Sequence, residues 1–164
     1  MSQSLAKQTR TRVFSMRTPI PVSAEMLFAW HEEPDAFKRL TPPWEKVRVL
    51  RHVGGIRDGA EVSLLVGPMP FALRWDLTHC DYEPGRSFTD KQVAGPFKSW
   101  RHIHRMIPEG PDRCTLEDHI EYELPGGWIG GMLGGWIVKR KLARLFAYRH
   151  QVTYRAMLEA KSRP

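Results

Sequence analysis

Cysteine is scarce: Cys80 and Cys114 are the only two in 164 residues. They are too few and too far apart for a disulfide framework or a four-thiolate zinc site. Two reduced thiols in a cytoplasmic protein are the expectation. Long hydrophobic runs are missing as well, and none approaches the roughly 18 residues a membrane span requires. The stretch Met1–Arg12 is polar and basic without an apolar centre, so it does not read as a secretory signal. There is no Gly-x-Ser-x-Gly elbow and no glycine-rich loop ending in Lys-Ser/Thr, which argues against a serine hydrolase and a phosphate cradle. Acidic residues are in deficit, 18 against 25 Lys and Arg, giving a formal charge of +7. That balance favours an anionic partner. The basic residues are nevertheless spread along the chain, apart from Lys139-Arg140-Lys141 and Arg144, and no nucleic-acid motif accompanies them. No nucleic-acid partner is expected.

What is present is a folded composition, 41% hydrophobic and 26% charged. Residues 1–11 read as an arm and residues 12–160 as one domain with a full core. Val13–Thr18 alternates as a first strand, with Phe14 and Met16 on one face and Pro19 and Pro21 ending it. Ser23 is a good N-cap for a short helix through Trp30, and Pro34 opens a second. Thr41-Pro42-Pro43-Trp44 stops that one. From Val47 to Leu124 the period is two, in six runs separated by Gly- and Pro-containing turns, which reads as an antiparallel meander. After the glycine-rich joint 125–135, Ile137 or Val138, Leu142, Leu145, Phe146, Arg149 and Val152 keep helical spacing to about residue 160. This helix needs an apolar surface, and the inward face of the sheet is the only large one.

The run Ser99–Met106 carries the chemistry. As a strand it puts Trp100, His102, His104 and Met106 on one face and Ser99, Arg101, Ile103 and Arg105 on the other. The face with the arginines belongs in water, so two imidazoles point inward among bulky apolar groups. Buried polar groups need partners: a hydrogen-bond network, a wet cavity or a metal. If positions opposed across the turn near residue 110 sum to about 220, His102 faces Asp118 and His104 faces Leu116. A His102–Asp118 pair satisfies itself in a packed interior, holds the polar end of a ligand, or serves as an acid–base pair. No metal is expected, because no obvious fourth ligand accompanies the two histidines and Asp118, although His79 and Asp90 lie on neighbouring inward faces. Arg149, on the helical stripe, should meet Asp118 or Asp90 as counter-charge or anchor an anionic ligand.

The element order resembles the helix-grip arrangement of the SRPBCC superfamily, which includes START, Bet v 1-like and polyketide cyclase/dehydratase-like proteins. Within it, several pieces resemble a bacterial subgroup of uncharacterised ligand-binding proteins, also found fused to sugar-epimerase-like domains. These pieces are Phe28-Ala29-Trp30-His31, Phe37 through Trp44, Gly95-Pro96-Phe97, Trp100 through His104, Tyr122 through Pro125 and Leu145 through His150. The resemblance implies an α+β fold, a curved antiparallel β-sheet wrapped around a long C-terminal α-helix with two short helices after the first strand. It also implies a cavity for a hydrophobic or aromatic small molecule, with no cofactor. Trp75, Phe88, Asp90, Trp100, His102, His104, Asp118, Tyr122, Phe146 and Arg149 are its expected lining. Two alternatives stand beside binding. One is a cyclase, dehydratase or isomerase acting on a polyketide-like carbonyl compound with His102 and Asp118 as the acid–base pair. The other is lipid or quinone handling at an anionic membrane through Trp128, Ile129, Met132, Leu133 and Trp136 with the basic collar Lys139-Arg140-Lys141.

Overall fold

Seven period-two segments pair side by side in the computed structural model, which describes residues 11–162. They are β1 (Arg12–Ile20), β2 (Val47–Val53), β3 (Glu61–Val66), β4 (Leu73–Glu83), β5 (Ser87–Ala94), β6 (Ser99–Gly110) and β7 (Arg113–Glu123). The sheet order is β1-β7-β6-β5-β4-β3-β2, antiparallel throughout. Helices α1 (Ala24–His31) and α2 (Ala36–Arg39) follow β1, and α3 (Gly127–Ser162) ends the chain. This is the expected α+β helix-grip fold, a curved sheet with a long C-terminal helix. None of the helices among the described residues is long and apolar enough to cross a membrane.

Local chemistry explains the boundaries. Ser23 caps α1 by accepting from the Met26 backbone N–H at 3.2 Å. Strand β1 does not stop at Pro19 as expected but runs through it to Ile20. The strand lies at the sheet edge, where the missing proline N–H interrupts no ladder on the open side. Strand β4 starts at Leu73, and Phe71 and Leu73 are exposed, so the inward alternation begins only at Trp75.

Two apolar clusters fill the interior. One joins Ile20, Leu27, Phe28, Phe88, Met106, Leu116 and Met157, and the other joins Phe14, Trp100, Ile120, Tyr122, Leu142 and Phe146. Helix α3 spans both, its buried stripe running Leu142, Phe146, His150, Thr153 and Met157. Spacings of four, four, three and four keep one face, turned slightly from the Leu145–Arg149–Val152 line expected from sequence. Each large apolar side chain so buried contributes about 1.5–3 kcal/mol relative to exposure.

The β6–β7 register differs from expectation. His104, not His102, stands opposite Asp118, and His102 stands opposite Ile120. The pairing carries an irregularity between Pro108 and Gly110, and Gly110 pairs with Arg113, so only Pro111 and Asp112 make the turn. Opposed positions therefore sum to 222 rather than 220. A shift of two positions along β7 leaves every side chain on its expected face, because the side-chain period is two.

Gly95 has a steric reason. A Cβ there would lie 2.4 Å from Trp75 Cδ1 and 2.7 Å from Gln92 Oε1. Gln92 in turn holds the loop, donating from its amide to the Phe97 carbonyl at 2.8 Å. Replacing Gly95 with Ala should lower stability by about 1–3 kcal/mol through forced displacement of Trp75. A urea unfolding midpoint that falls with unchanged slope is the expected result, and an unchanged midpoint would contradict this packing.

Candidate functional site

The meander lays titratable groups across adjacent strands like squares of a board. In one row His79 of β4 opposes Asp90 of β5, which opposes His102 of β6. In the next row Phe88 of β5 opposes His104 of β6, which opposes Asp118 of β7. Each histidine of β6 thus has one carboxylate directly beside it and another on the diagonal.

The contacts follow from that placement. Asp118 Oδ1 lies 2.7 Å from His102 Nε2 and 2.8 Å from His104 Nδ1, and its Oδ2 lies 2.7 Å from His150 Nε2 on α3. A carboxylate only accepts, so His102 and His150 donate to it through Nε2–H. His150 Nδ1 is 2.7 Å from Thr18 Oγ on β1, which fixes that ring from both ends. On the other side, Asp90 Oδ2 lies 3.2 Å from His104 Nε2 and 3.5 Å from His102 Nδ1. Asp90 Oδ1 lies 2.8 Å from His79 Nε2, while the other ring nitrogen, His79 Nδ1, is buried without a hydrogen-bond partner.

Apolar packing holds the rings. His104 stacks on Phe88 at 4.2 Å between centroids, and His102 meets Phe146 edge-on at 5.1 Å. The polar cluster therefore sits at the seam between the two apolar clusters.

The electrostatics are those of a buried ion network. Burial pushes the Asp118 carboxyl upward, but the charge of His104 and hydrogen bonds from His102, His104 and His150 hold it well below the usual carboxylate range. Asp90 behaves alike: burial opposes ionisation, and His102, His104 and His79 overcome it. For His104, burial lowers the pKa, yet Asp118 and Asp90 together raise it to about 9. Both of its nitrogens face carboxylate oxygens, which suits an imidazolium. His31 is the opposite case, since burial pushes it down to about 4 while its Nδ1–H donates to the Leu27 carbonyl at 2.9 Å.

A cavity of about 100 Å³ opens beside this cluster. Of the residues expected to line it, Phe88, Asp90, His104 and Arg149 do, together with His31 and His79. His102 and Asp118 lie behind them. Trp75, Trp100, Tyr122 and Phe146 pack elsewhere: Trp75 and Trp100 meet edge-to-face at 5.0 Å, and Trp100, Tyr122 and Phe146 belong to a core cluster. Arg149 forms no ion pair with Asp118 or Asp90. Its Nε donates to the Leu40 carbonyl at 3.2 Å and its guanidinium lies 5.2 Å from the Phe146 ring centre. The residue that clasps helix to sheet is its neighbour His150. In the sequence His150 closes the Leu145–His150 motif, and its spacing of four from Phe146 and three to Thr153 marks it as inward. Glu117, on the face of β7 opposite Asp118, is nevertheless buried, held by Arg17 at 2.7 Å and Arg105 at 2.8 Å. Of the apolar tip, Trp136 is exposed with Arg140 stacked 4.8 Å from its ring centre. The side chains of Trp128, Ile129, Met132 and Leu133, like residues 1–10 of the arm, lie outside the described residues.

Comparison with known proteins agrees with this architecture. The family described as polyketide cyclase/dehydrase and lipid transport matches residues 20–147, and the chain belongs to it. No functionally curated protein matches the sequence. Norcoclaurine synthase from Thalictrum flavum, solved with dopamine and hydroxybenzaldehyde, is 15% identical with a TM-score of 0.70, covering 99% of this chain and 96% of that one. A START superfamily protein from Mycobacterium smegmatis is 15% identical with a TM-score of 0.65, covering 90% of this chain and 98% of that one. A nucleoside-diphosphate sugar epimerase from Corynebacterium glutamicum is 24% identical with a TM-score of 0.64, covering 87% of this chain and 28% of that one. At these identities the likeness is one of fold.

Two consequences are measurable. Asp118→Asn leaves three imidazoles facing an amide and should cost about 3–5 kcal/mol, the range for breaking a buried ion pair. The pH dependence follows from the two kinds of shift. His104 is raised from 6.5 to about 9, so its stabilisation is complete below pH 6.5 and is lost as pH rises through about 9. Asp90 and Asp118 are depressed, so theirs is present above 3.8 and lost as pH falls through their folded values. Unfolding in metal-free buffer should show greatest stability between these limits, and Asp118→Asn should flatten the alkaline loss. Stability that climbs from pH 6.5 to 9 would contradict the network.

Proposed function

We propose that the chain binds a small amphipathic molecule, an aromatic ring or comparable apolar body with one polar end, in the cavity beside Asp90 and His104. The observation that carries this reading is the change of character along one cavity. Apolar side chains line much of it, Ala36, Phe37 and Leu40 of the α2 region and Val62, Leu77 and Phe88 of the sheet, with Glu32, Glu33 and His52 also on its lining, and Asp90 and His104 join it to the buried cluster. Ligand sites have this make-up, mostly apolar with a few placed polar groups. Family membership supports a role with hydrophobic small molecules.

Size limits the ligand. A cavity of about 150 Å³ holds benzene, and drug-sized ligands occupy roughly 300–1,000 Å³. The space of about 100 Å³ takes the polar head and part of one ring. The remainder of a larger molecule lies between α2 and the turn near Gly55 and Ile56, which also line the opening. Arg149 and His104 supply positive charge for a phenolate, carboxylate or carbonyl oxygen, and Asp90 accepts from a hydroxyl or ammonium. The aromatic pair bound by norcoclaurine synthase in its solved structure is a ligand class of this kind.

A second reading rests on one specific observation: a strong acceptor and an imidazolium, Asp90 and His104, face the same cavity. Such a pair moves a proton on a bound carbonyl compound, as cyclase, dehydratase or isomerase chemistry requires. In that case the acid–base groups are His104 and Asp90, while His102 and Asp118 orient them from behind.

A thermal-shift screen of phenols, aromatic aldehydes, short acids and quinones tests the binding reading. A ligand at 100 times its Kd stabilises by about 2.7 kcal/mol. Ala36→Phe, which fills the cavity from α2, should abolish that shift while the far-UV spectrum stays native. A ligand that shifts the wild type and this variant equally does not occupy the cavity, and a screen without any shift contradicts the reading. His104→Gln that keeps binding but loses turnover would select the enzymatic form.

A further inference from the structure

We propose that Asp90, His102 and His104 form a binding site for a divalent first-row transition ion of the zinc type, with Asp118 as the carboxylate that orients both histidines. This inference stands independently of what the cavity binds. It revises the sequence-based expectation of no metal, because the third ligand comes from β5, beside the histidines, rather than from Asp118.

The geometry has two layers. At the back, one oxygen of Asp118 lies 2.7 Å from His102 Nε2 and 2.8 Å from His104 Nδ1. At the front, the remaining nitrogens, His102 Nδ1 and His104 Nε2, lie 3.5 and 3.2 Å from Asp90 Oδ2. The ligand atoms of the three residues fall within 4.8 Å of one another. A tetrahedral ion with bonds of about 2.0–2.1 Å separates its ligand atoms by about 3.3 Å. The two spacings to Asp90 bracket that value, and an ion placed between Asp90 and the two rings draws the three ligand atoms together.

The back layer is what distinguishes a metal site from a chance cluster. Metal-bound histidines almost always donate their other ring N–H to a carboxylate or carbonyl, which sets the tautomer and aims the lone pair. Here one buried carboxylate does this for two histidines at once, and is itself anchored by His150. Two imidazoles and a carboxylate suit zinc, iron(II), cobalt(II) or nickel(II) over magnesium or calcium. The proton that lies between His104 and Asp90 in the metal-free protein leaves to solvent when the ion takes its place. Asp90 and His104 also line the cavity, which leaves the fourth position accessible to solvent, to His79 or to a ligand donor atom. Three protein ligands and one open position is the pattern of reactive rather than structural zinc.

Cobalt(II) chloride is the probe, added to purified chelator-treated protein and followed by visible absorption and by calorimetry. The expected result is one ion per chain, intense four-coordinate d–d bands, and displacement by zinc chloride. Asp90→Ala and His104→Ala should each weaken binding at least 100-fold. Asp118→Asn, which removes only the orienting carboxylate, should weaken it 10–100-fold. His52→Gln combined with His119→Gln, which removes the exposed His52 and the half-buried His119 on the outer face of the sheet, should leave it unchanged. Where a site variant does not fold by far-UV spectroscopy, X-ray absorption of the wild-type cobalt complex decides, with two or three imidazoles in the first shell expected. No binding at millimolar cobalt, loss of binding in the His52/His119 variant, or fewer than two imidazoles each overturns the proposal.

Discussion

A carboxylate buried at the centre of the sheet is the constraint on which the rest of the structure depends. Asp118 is 4% exposed, and an isolated charge at that depth costs several kcal/mol. Three imidazoles from two other elements offset the cost, and each contact dictates something larger. His104 and His102 require β6 to lie beside β7 with its imidazole face inward. His150 requires α3 to cross the sheet at this point and no other, and Thr18 ties the same ring to β1. Sheet, edge strand and helix are thus joined through one side chain and its three imidazoles.

The second carboxylate turns this structural device into a site. Asp90 faces the same two histidines from the opposite side, but unlike Asp118 it borders the cavity. The interior therefore runs from a closed anchor, Asp118 with His150, through two shared imidazoles, to an accessible end at Asp90. A change at the accessible end, whether a proton, an ion or a ligand oxygen, alters what Asp118 must hold. Asp90 and His150 are thus joined through His104 and Asp118 by a short path of direct contacts.

Much of this was legible in the sequence. Strict alternation over Trp100–Met106 and Leu116–Leu124 placed the histidines and Asp118 inward, and the period change after residue 135 announced the covering helix. The family resemblance supplied the architecture that these periods fit. What the periods do not contain is the offset between strands. A turn of two residues with an irregularity at Pro108–Gly110 sets it, and that detail made His104 the residue opposite Asp118. Attraction between guanidinium and carboxylate makes Arg149 the helix clasp expected from sequence. A slight rotation of the helix gives that role to His150, whose shorter side chain reaches Asp118 inside the seam, while Arg149 bonds a backbone carbonyl. The aromatic residues expected on the lining divide unequally: Trp75, Trp100, Tyr122 and Phe146 belong to one apolar cluster, and Phe88 alone of the five borders the cavity.

The most direct measurement is the nitrogen-15 spectrum of the histidine rings in metal-free protein between pH 6 and 10. The account predicts that His104 is protonated on both nitrogens at pH 7.5 and titrates near 9. A His104 ring that is singly protonated throughout this range would contradict it, since the buried Asp118 would then lack the charged imidazole that offsets its burial.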